Sequence, residues 1–162
     1  KGWTYGARSG FNSDDDPGPY TASAGVRADA TAGAVSEFMK EITNYKKDGI
    51  TDDELTFMRN SIGQRDARSY ETPRQKAGFL SRIVHYDLDE SYVDEQAKII
   101  KNISKDEINA LADKMLQVDN MNIVVVGDKA SNIEALNELG YEIVELNEKG
   151  EVKESTNEEI KE

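Results

Sequence analysis

Polar and hydrophobic residues alternate along the first eleven positions of the chain. One side of this period of two holds Trp3, Tyr5, Ala7, Ser9 and Phe11, and the other holds Thr4, Gly6, Arg8 and Gly10. Such alternation predicts a strand with one aromatic face and one nearly bare face. Because glycine weakens a strand unless something approaches its backbone closely, two interpretations stay open. Either helices pack tightly on the bare face, or a ligand is laid against it.

A turn-rich segment, Asn12 to Pro19, separates this strand from a second alternating segment, Tyr20 to Arg27. The two segments therefore predict a hairpin with an acidic loop. Three consecutive carboxylates, Asp14 to Asp16, are the kind of oxygen ligand that calcium takes, but a calcium loop spaces its ligands around a fixed glycine. We interpret this loop as a solvated turn.

The hydrophobic period changes to that of a helix at Thr31, and Gly49 marks the end of that helix. The apolar stripe predicted to face the sheet consists of Val35, Phe38, Met39, Ile42 and Tyr45. Four capping boxes predict four further helix starts, because the hydroxyl and the acidic or amide side chain each satisfy a free backbone amide. They are Thr51 with Glu54, Thr72 with Gln75, Ser104 with Glu107, and Ser131 with Glu134.

Apolar stripes predict which helix faces are buried. The stripes are Leu55, Met58 and Ile62; then Ala77, Leu80, Val84 and Leu88; then Ile108, Leu111, Ala112 and Met115. A further short helix is predicted from Tyr92 to Ile103. The β-branched segment Met121 to Gly127 predicts a buried strand, and Tyr141 to Leu146 a last one.

The order of these elements predicts an α+β fold, a mostly antiparallel sheet with helices packed on one face, because strands and helices do not alternate regularly. We predict a single domain over residues 1–146 and a polar, frayed tail over 147–162. Lys1 stands directly at the start of a strand, which leads us to expect a domain truncated at its N-terminus.

Charge and composition narrow the possible partners. The chain has 162 residues, of which 37% are hydrophobic, and its formal net charge is −12. That charge repels phosphate backbones and anionic lipids, so we expect neither nucleic acid binding nor membrane insertion. With no cysteine and no targeting signal, the sequence leaves cytoplasmic and periplasmic locations both open.

Catalytic chemistry has few candidate residues. A catalytic zinc needs three protein ligands, and the chain offers one histidine and no cysteine, so we predict no metal ligand and no catalytic residue. We interpret His85 as an exposed or hydrogen-bonded surface residue. The segment Val124 to Asp128 precedes a predicted helix but lacks the glycine pattern of a phosphate-binding loop.

Several segments, taken together and in order, resemble the C-terminal half domain of pitrilysin/insulinase-type zinc metallopeptidases. They are Lys1 to Ala7 followed by Phe11, Gly18-Pro19, Gly49 to Leu55, Tyr70 to Pro73, and Val124 to Asp128. The resemblance implies two similar α+β half domains that close around a peptide. The N-terminal half carries an inverted His-x-x-Glu-His zinc motif, and the C-terminal half supplies substrate contacts.

The resemblance also implies a role for one residue of this chain. Family members use an Arg and, seven residues later, a Tyr of this domain to hold the substrate backbone and the developing oxyanion. Tyr5 matches that Tyr, whereas the Arg would precede Lys1. The implied partners are a zinc-bearing half domain, in the same chain or another subunit, and a peptide substrate; zinc itself is expected in the N-terminal half. The alternative is a non-catalytic structural or assembly subunit of the same fold.

Overall fold

Helices and a hairpin make up the chain, in the α+β arrangement that the sequence predicts. The computed structural model describes residues 1–12, 14–68, 71–89 and 91–153, with the backbone alone at 64–68. The strands are β1 (Thr4–Phe11) and β2 (Tyr20–Val26), and the helices are α1 (Thr31–Asp48), α2 (Asp52–Arg68), α3 (Pro73–His85), α4 (Tyr92–Asn102), α5 (Lys105–Met115) and α6 (Lys129–Asn137). Among the described residues, the sheet consists of β1 paired antiparallel with β2.

One face of the hairpin packs against helices. Along β2, burial alternates, and the half-buried positions are Tyr20, Ala22, Ala24 and Val26. Tyr20 and Ala22 pack against a buried cluster formed by Ile42 of α1 and by Ala112 and Leu116 at the end of α5. The predicted stripe of α1 is therefore confirmed at Ile42, and the helices lie on the face of the sheet that carries Tyr20.

A β-bulge interrupts the simple alternation of β1. Phe11, Ser9 and Ala7 pair with Tyr20, Ala22 and Ala24, so they share the helix-facing side; Thr4 pairs with Val26, and one extra residue of β1 lies between Thr4 and Ala7. An extra residue shifts the side-chain phase of a strand by one position. The prediction that Tyr5 shares a face with Ala7, Ser9 and Phe11 is therefore wrong, and Tyr5 lies on the face of Arg8 and Gly10.

Three of the four predicted capping boxes are confirmed. The Thr51 hydroxyl accepts from the Glu54 amide (3.2 Å), and reciprocal pairs are formed at Thr72 with Gln75 and at Ser104 with Glu107. The fourth is wrong, because α6 begins at Lys129 and its cap is Asp128, whose carboxylate accepts from the Ser131 amide at 2.9 Å. Asp and Ser are comparable caps, so the sequence offered two starts three residues apart.

We expect Asp128→Ala to lower the free energy of unfolding by about 1 kcal/mol, because it leaves the Ser131 amide without its acceptor. Ser131→Ala is the matched control; it retains the capping carboxylate and the amide, and it should change stability by less than half as much. Urea unfolding of both variants measures the difference. A larger loss of stability for Ser131→Ala than for Asp128→Ala would support Ser131 as the cap, as predicted from the sequence.

Two predicted strands do not form ladders among the described residues. Met121 to Gly127 makes no ladder, and Val124 and Val126 are 80% and 95% exposed. Tyr141 to Leu146 contributes a single antiparallel bridge, Leu146 with Val152. A β-branched segment is suited to a strand, but a ladder also requires a partner at hydrogen-bonding distance.

A tight turn joins the two residues of this bridge. Asn147 accepts from the amides of Lys149 and Glu151 at 2.9 and 3.0 Å. Glu145 binds the ammonium groups of Lys129 and Lys153, and these hydrogen bonds lower the pKa of its carboxyl to about 2. The rest of the predicted tail, 154–162, lies outside the described residues, and the domain boundary stays a prediction. No helix in the described part of the chain has both the length and the apolar character to cross a membrane.

Candidate functional site

The hairpin face opposite the helices is open. A Cβ atom built on Gly6, Gly10 or Gly25 would have no neighbouring atom within 4 Å, and Thr21 and Ser23 of β2 are exposed. No described element therefore covers this face. Of the two interpretations left open by the sequence, the structure contradicts tight helix packing on the glycine-bearing side, because the helices pack on the other side.

Tyr5, the predicted substrate-binding residue, stands on this open face. Its relative accessibility is 113%, so both ring and hydroxyl project into solvent. Arg8 shares the face and is exposed as well. The structure thus presents a phenol and a guanidinium beside backbone without side chains, which is an arrangement that lets a polar chain approach closely.

Thr4 directly precedes the bulge formed by Tyr5 and Gly6, and sequence reasoning missed its role. Its hydroxyl accepts a hydrogen bond from the Gly6 amide at 3.1 Å. The same hydroxyl lies 2.7 Å from the Gly25 carbonyl oxygen of β2 and 2.9 Å from that of Gly6, either of which can accept its hydrogen. The contact with Gly25 is the shorter of the two, and through it the hydroxyl joins the two strands where the regular ladder is interrupted. A single threonine in a strand carries no sequence signal for such a bridge.

A groove of about 690 Å³ lies on the other side of the hairpin, between β2 and α1. Trp3, Tyr20 and Phe38 line it, and Glu37 stands at its edge in an ion pair with Lys1. The Trp3 ring approaches α1 so closely that a Cβ on Gly33 would lie 2.9 Å from it. Tyr5 does not line this groove.

The acidic loop contacts the end of α3. The Nε2 atom of His85 lies 3.2 Å from a carboxylate oxygen of Asp15 and 3.5 Å from one of Asp14. The Tyr86 hydroxyl donates to Asp14 at 2.7 Å, and this bond, with a smaller effect of His85, lowers the pKa of the Asp14 carboxyl. The prediction of an exposed or hydrogen-bonded His85 is confirmed, because the residue is exposed and contacts Asp15. The loop is more than a solvated turn, since it bonds to α3.

Within the described ranges, two aspartates of this loop and His85 of α3 lie close enough together to hold a metal ion. The ligand atoms of Asp14, Asp15 and His85 lie within 4.8 Å of one another, and all three residues are exposed. Each is already occupied by a hydrogen bond or ion pair inside the cluster. We interpret the cluster as a contact between the loop and α3.

The start of α6 does not resemble a phosphate site. The Asp128 carboxylate already accepts from the Ser131 amide, and it places a negative charge where a phosphate would sit. Asn132, which is 6% exposed, donates to the Asp128 carbonyl at 2.8 Å. The helix start is thus closed by its own side chains, which agrees with the prediction of a capped helix rather than a nucleotide-binding turn.

Comparison with known proteins finds a family model and a solved structure that this chain resembles. The family model described as "Peptidase M16 inactive domain" matches residues 1–62. The crystal structure of a peptidase M16 inactive domain from Pseudomonas fluorescens matches with a TM-score of 0.66 and 24% identity, over 74% of this chain and 28% of that one. The chain thus spans less than a third of the structure it resembles. No curated protein matches.

The matched 62 residues contain the hairpin, α1 and most of α2, so they include Tyr5, the bulge and the open face. Three of the resembling segments lie within these 62 residues. The fourth, Tyr70 to Pro73, lies beyond them, and its first residue is outside the described residues. The predicted resemblance is confirmed: residues 1–62 match the peptidase M16 inactive domain, and the chain has the fold of such a domain, consistent with the C-terminal half of a pitrilysin-type protein.

Proposed function

We propose that this chain is the substrate-contacting, non-zinc domain of a zinc metallopeptidase, and that the open face of its hairpin contacts the peptide. The observation that carries the proposal is the position of Tyr5, fully exposed on a face that no described element covers. A peptide-binding wall needs such a face, whereas an aromatic that only stabilises the sheet would be buried against helices.

The composition of the open face supports a peptide as the ligand. Gly6, Gly10 and Gly25 expose backbone without side chains, so an extended peptide can approach the sheet surface closely. Arg8 can bind a carbonyl or carboxylate of the peptide through its planar guanidinium. The Tyr5 phenol can donate to a peptide oxygen that gains charge during hydrolysis, a kind of interaction that contributes most where water is excluded.

The residues of this chain do not form the zinc motif that the resemblance implies. The sequence has a single histidine and therefore cannot supply a His-x-x-Glu-His motif. Asp14, Asp15 and His85 are an exposed cluster in the loop between the strands, and they are bonded to one another and to Tyr86. Under the proposal, the metal and the cleavage step belong to a partner half domain, in the same polypeptide or in another subunit.

The proposal is tested by measuring zinc content and peptide cleavage for this chain alone and for the complete protein that contains it. We expect neither stoichiometric zinc nor turnover of an unstructured peptide from the chain alone. We expect both from the complete protein, with turnover abolished by a chelator and restored by zinc.

Two outcomes contradict the proposal in different ways. Stoichiometric zinc with turnover in the isolated chain would refute the division of labour between the halves. A complete protein without zinc and without turnover would favour the alternative function, a structural or assembly subunit of the same fold.

A further inference from the structure

We infer that Thr4 is a positioning residue for Tyr5: its hydroxyl holds the β-bulge that turns the Tyr5 phenol onto the open face of the hairpin. This inference rests on the proposed role of Tyr5 in contacting the peptide. It assigns a task to a residue to which the resemblance gives no role, and the task is visible only in the pairing of β1 with β2.

The bulge creates the need for a bridging group. Thr4 pairs with Val26 and Ala7 with Ala24, so Tyr5 and Gly6 together lie opposite the single residue Gly25. A bulge of this kind leaves a residue unpaired and disrupts the ladder locally. Backbone amide and carbonyl groups at such a position lose stabilisation unless another group or water binds them.

The Thr4 hydroxyl meets that need from the position directly before the bulge. It accepts from the Gly6 amide at 3.1 Å and reaches the Gly25 carbonyl at 2.7 Å, where it can donate. A hydroxyl can do both at once, since it carries one hydrogen and two acceptor lone pairs. The Thr4 hydroxyl thus connects the Gly6 amide of β1 with the Gly25 carbonyl of β2, at the residue next to Tyr5.

The bulge also determines which way Tyr5 points. The strand beyond the bulge is held by the pairs from Ala7 to Phe11, whose partners Tyr20 and Ala22 pack on the helices. On the N-terminal side of the bulge, Thr4 is held opposite Val26. The extra residue must therefore be accommodated at Tyr5 and Gly6, and the phase change it produces places Tyr5 on the open face. Bulges are over-represented next to active sites, where they re-aim side chains.

Burial does not explain the threonine. Thr4 is exposed, so its side chain is not selected for packing in a core. Valine would keep the β-branched shape and the strand preference of the position, and would differ from threonine chiefly in lacking the hydroxyl. Serine would keep the hydroxyl. These two substitutions therefore separate the bridge from the shape of the side chain.

The experiment compares Thr4→Val, Thr4→Ser, Tyr5→Phe and the double variant Thr4→Val/Tyr5→Phe in the complete zinc-loaded protein. We expect Thr4→Val to lower kcat about 10-fold with little change in KM, because a misplaced donor weakens the transition state more than the bound substrate. Thr4→Ser should retain most of the wild-type rate. In the Tyr5→Phe background, Thr4→Val should have no further effect, since Thr4 acts through the phenol.

A second readout is independent of activity. Hydrogen exchange at the Gly6 amide should become faster in Thr4→Val than in the wild type and in Thr4→Ser, because that amide loses its acceptor. Zinc content and thermal midpoint should match the wild type, which shows that the protein remains folded and loaded.

Each outcome has a distinct meaning. If Tyr5→Phe is impaired while Thr4→Val is as active as the wild type, the positioning role of Thr4 is wrong and the proposed function stands. If Thr4→Val lowers turnover equally in both backgrounds, Thr4 acts without Tyr5 and the inference also fails. If Tyr5→Phe itself is fully active, the proposed role of Tyr5 is wrong, and the positioning role of Thr4 fails with it. Hydrogen exchange at the Gly6 amide then reports only whether the bridge exists.

Discussion

Leu116→Ala is expected to lower the free energy of unfolding of this chain by about 2–5 kcal/mol, because it removes buried methyl groups and leaves a cavity. Leu116 is 3% exposed, and it forms the buried cluster with Ile42 of α1 and Ala112 of α5. Tyr20 and Ala22 of the hairpin pack against the same cluster. The substitution therefore weakens the contact between the helices and the sheet as well as the contact between two helices.

Leu80→Ala is the matched control. Leu80 lies on α3 and is 61% exposed, so truncating it removes little buried surface. We expect its effect to stay within about 0.5 kcal/mol, as for most surface substitutions. Urea unfolding of the two variants, followed by circular dichroism, measures both values. Equal losses at the two positions would show that the stripe of α3 is buried in solution and that the cluster around Leu116 is not the main core.

The sequence could not distinguish these two leucines. Leu80 belongs to a regular apolar stripe on α3, whereas Leu116 follows the last residue of α5 and belongs to no predicted stripe. Periodicity shows that a helix has an apolar face, but the face is buried only where another element reaches it. Burial at Leu116 depends on α1 and β2, which are distant in sequence, and no local pattern reports that contact.

Features determined by neighbouring residues were predicted well. The hairpin, the start and end of α1, and the caps at Thr72 and Ser104 each depend on a few adjacent residues, and all are confirmed. The α+β class followed from the order of these elements. The start of α6 was misplaced because Asp128 and Ser131 compete as caps, and local rules rank them nearly equal.

Features determined by pairing between strands were predicted poorly. The bulge between Thr4 and Ala7 changes the face of Tyr5, although a period of two along β1 alone suggested otherwise. The segment from Met121 to Gly127 has the composition of a strand but no ladder within the described residues. Both cases show the same limit: register and pairing are properties of two segments, and a single segment cannot specify them. Tyr5 itself was found from the resemblance, while its surroundings, including Thr4, required the structure.

The largest expected effect on activity is that of Tyr5→Phe in the complete protein. If the phenol donates to the oxygen that gains charge during peptide hydrolysis, its loss removes an interaction made mainly in the transition state. Comparable donors are worth about 10²–10³-fold in kcat, and we expect a loss of about 10²-fold. KM should change little, because the substrate carbonyl before reaction carries less charge.

Steady-state kinetics with an unstructured peptide, together with zinc content and thermal midpoint, measure this effect separately from folding and metal loading. Tyr141→Phe is the matched control, since Tyr141 is also exposed (47%) but lies in the segment after α6, far along the chain from the bulge. It should leave kcat unchanged. A fully active Tyr5→Phe with intact zinc would remove Tyr5 from the site, and the open face would then have to bind peptide through Arg8 and the strand backbone alone. A loss of zinc in Tyr5→Phe would instead show that the substitution acts on metal loading, and the lower kcat would then not report the loss of a donor.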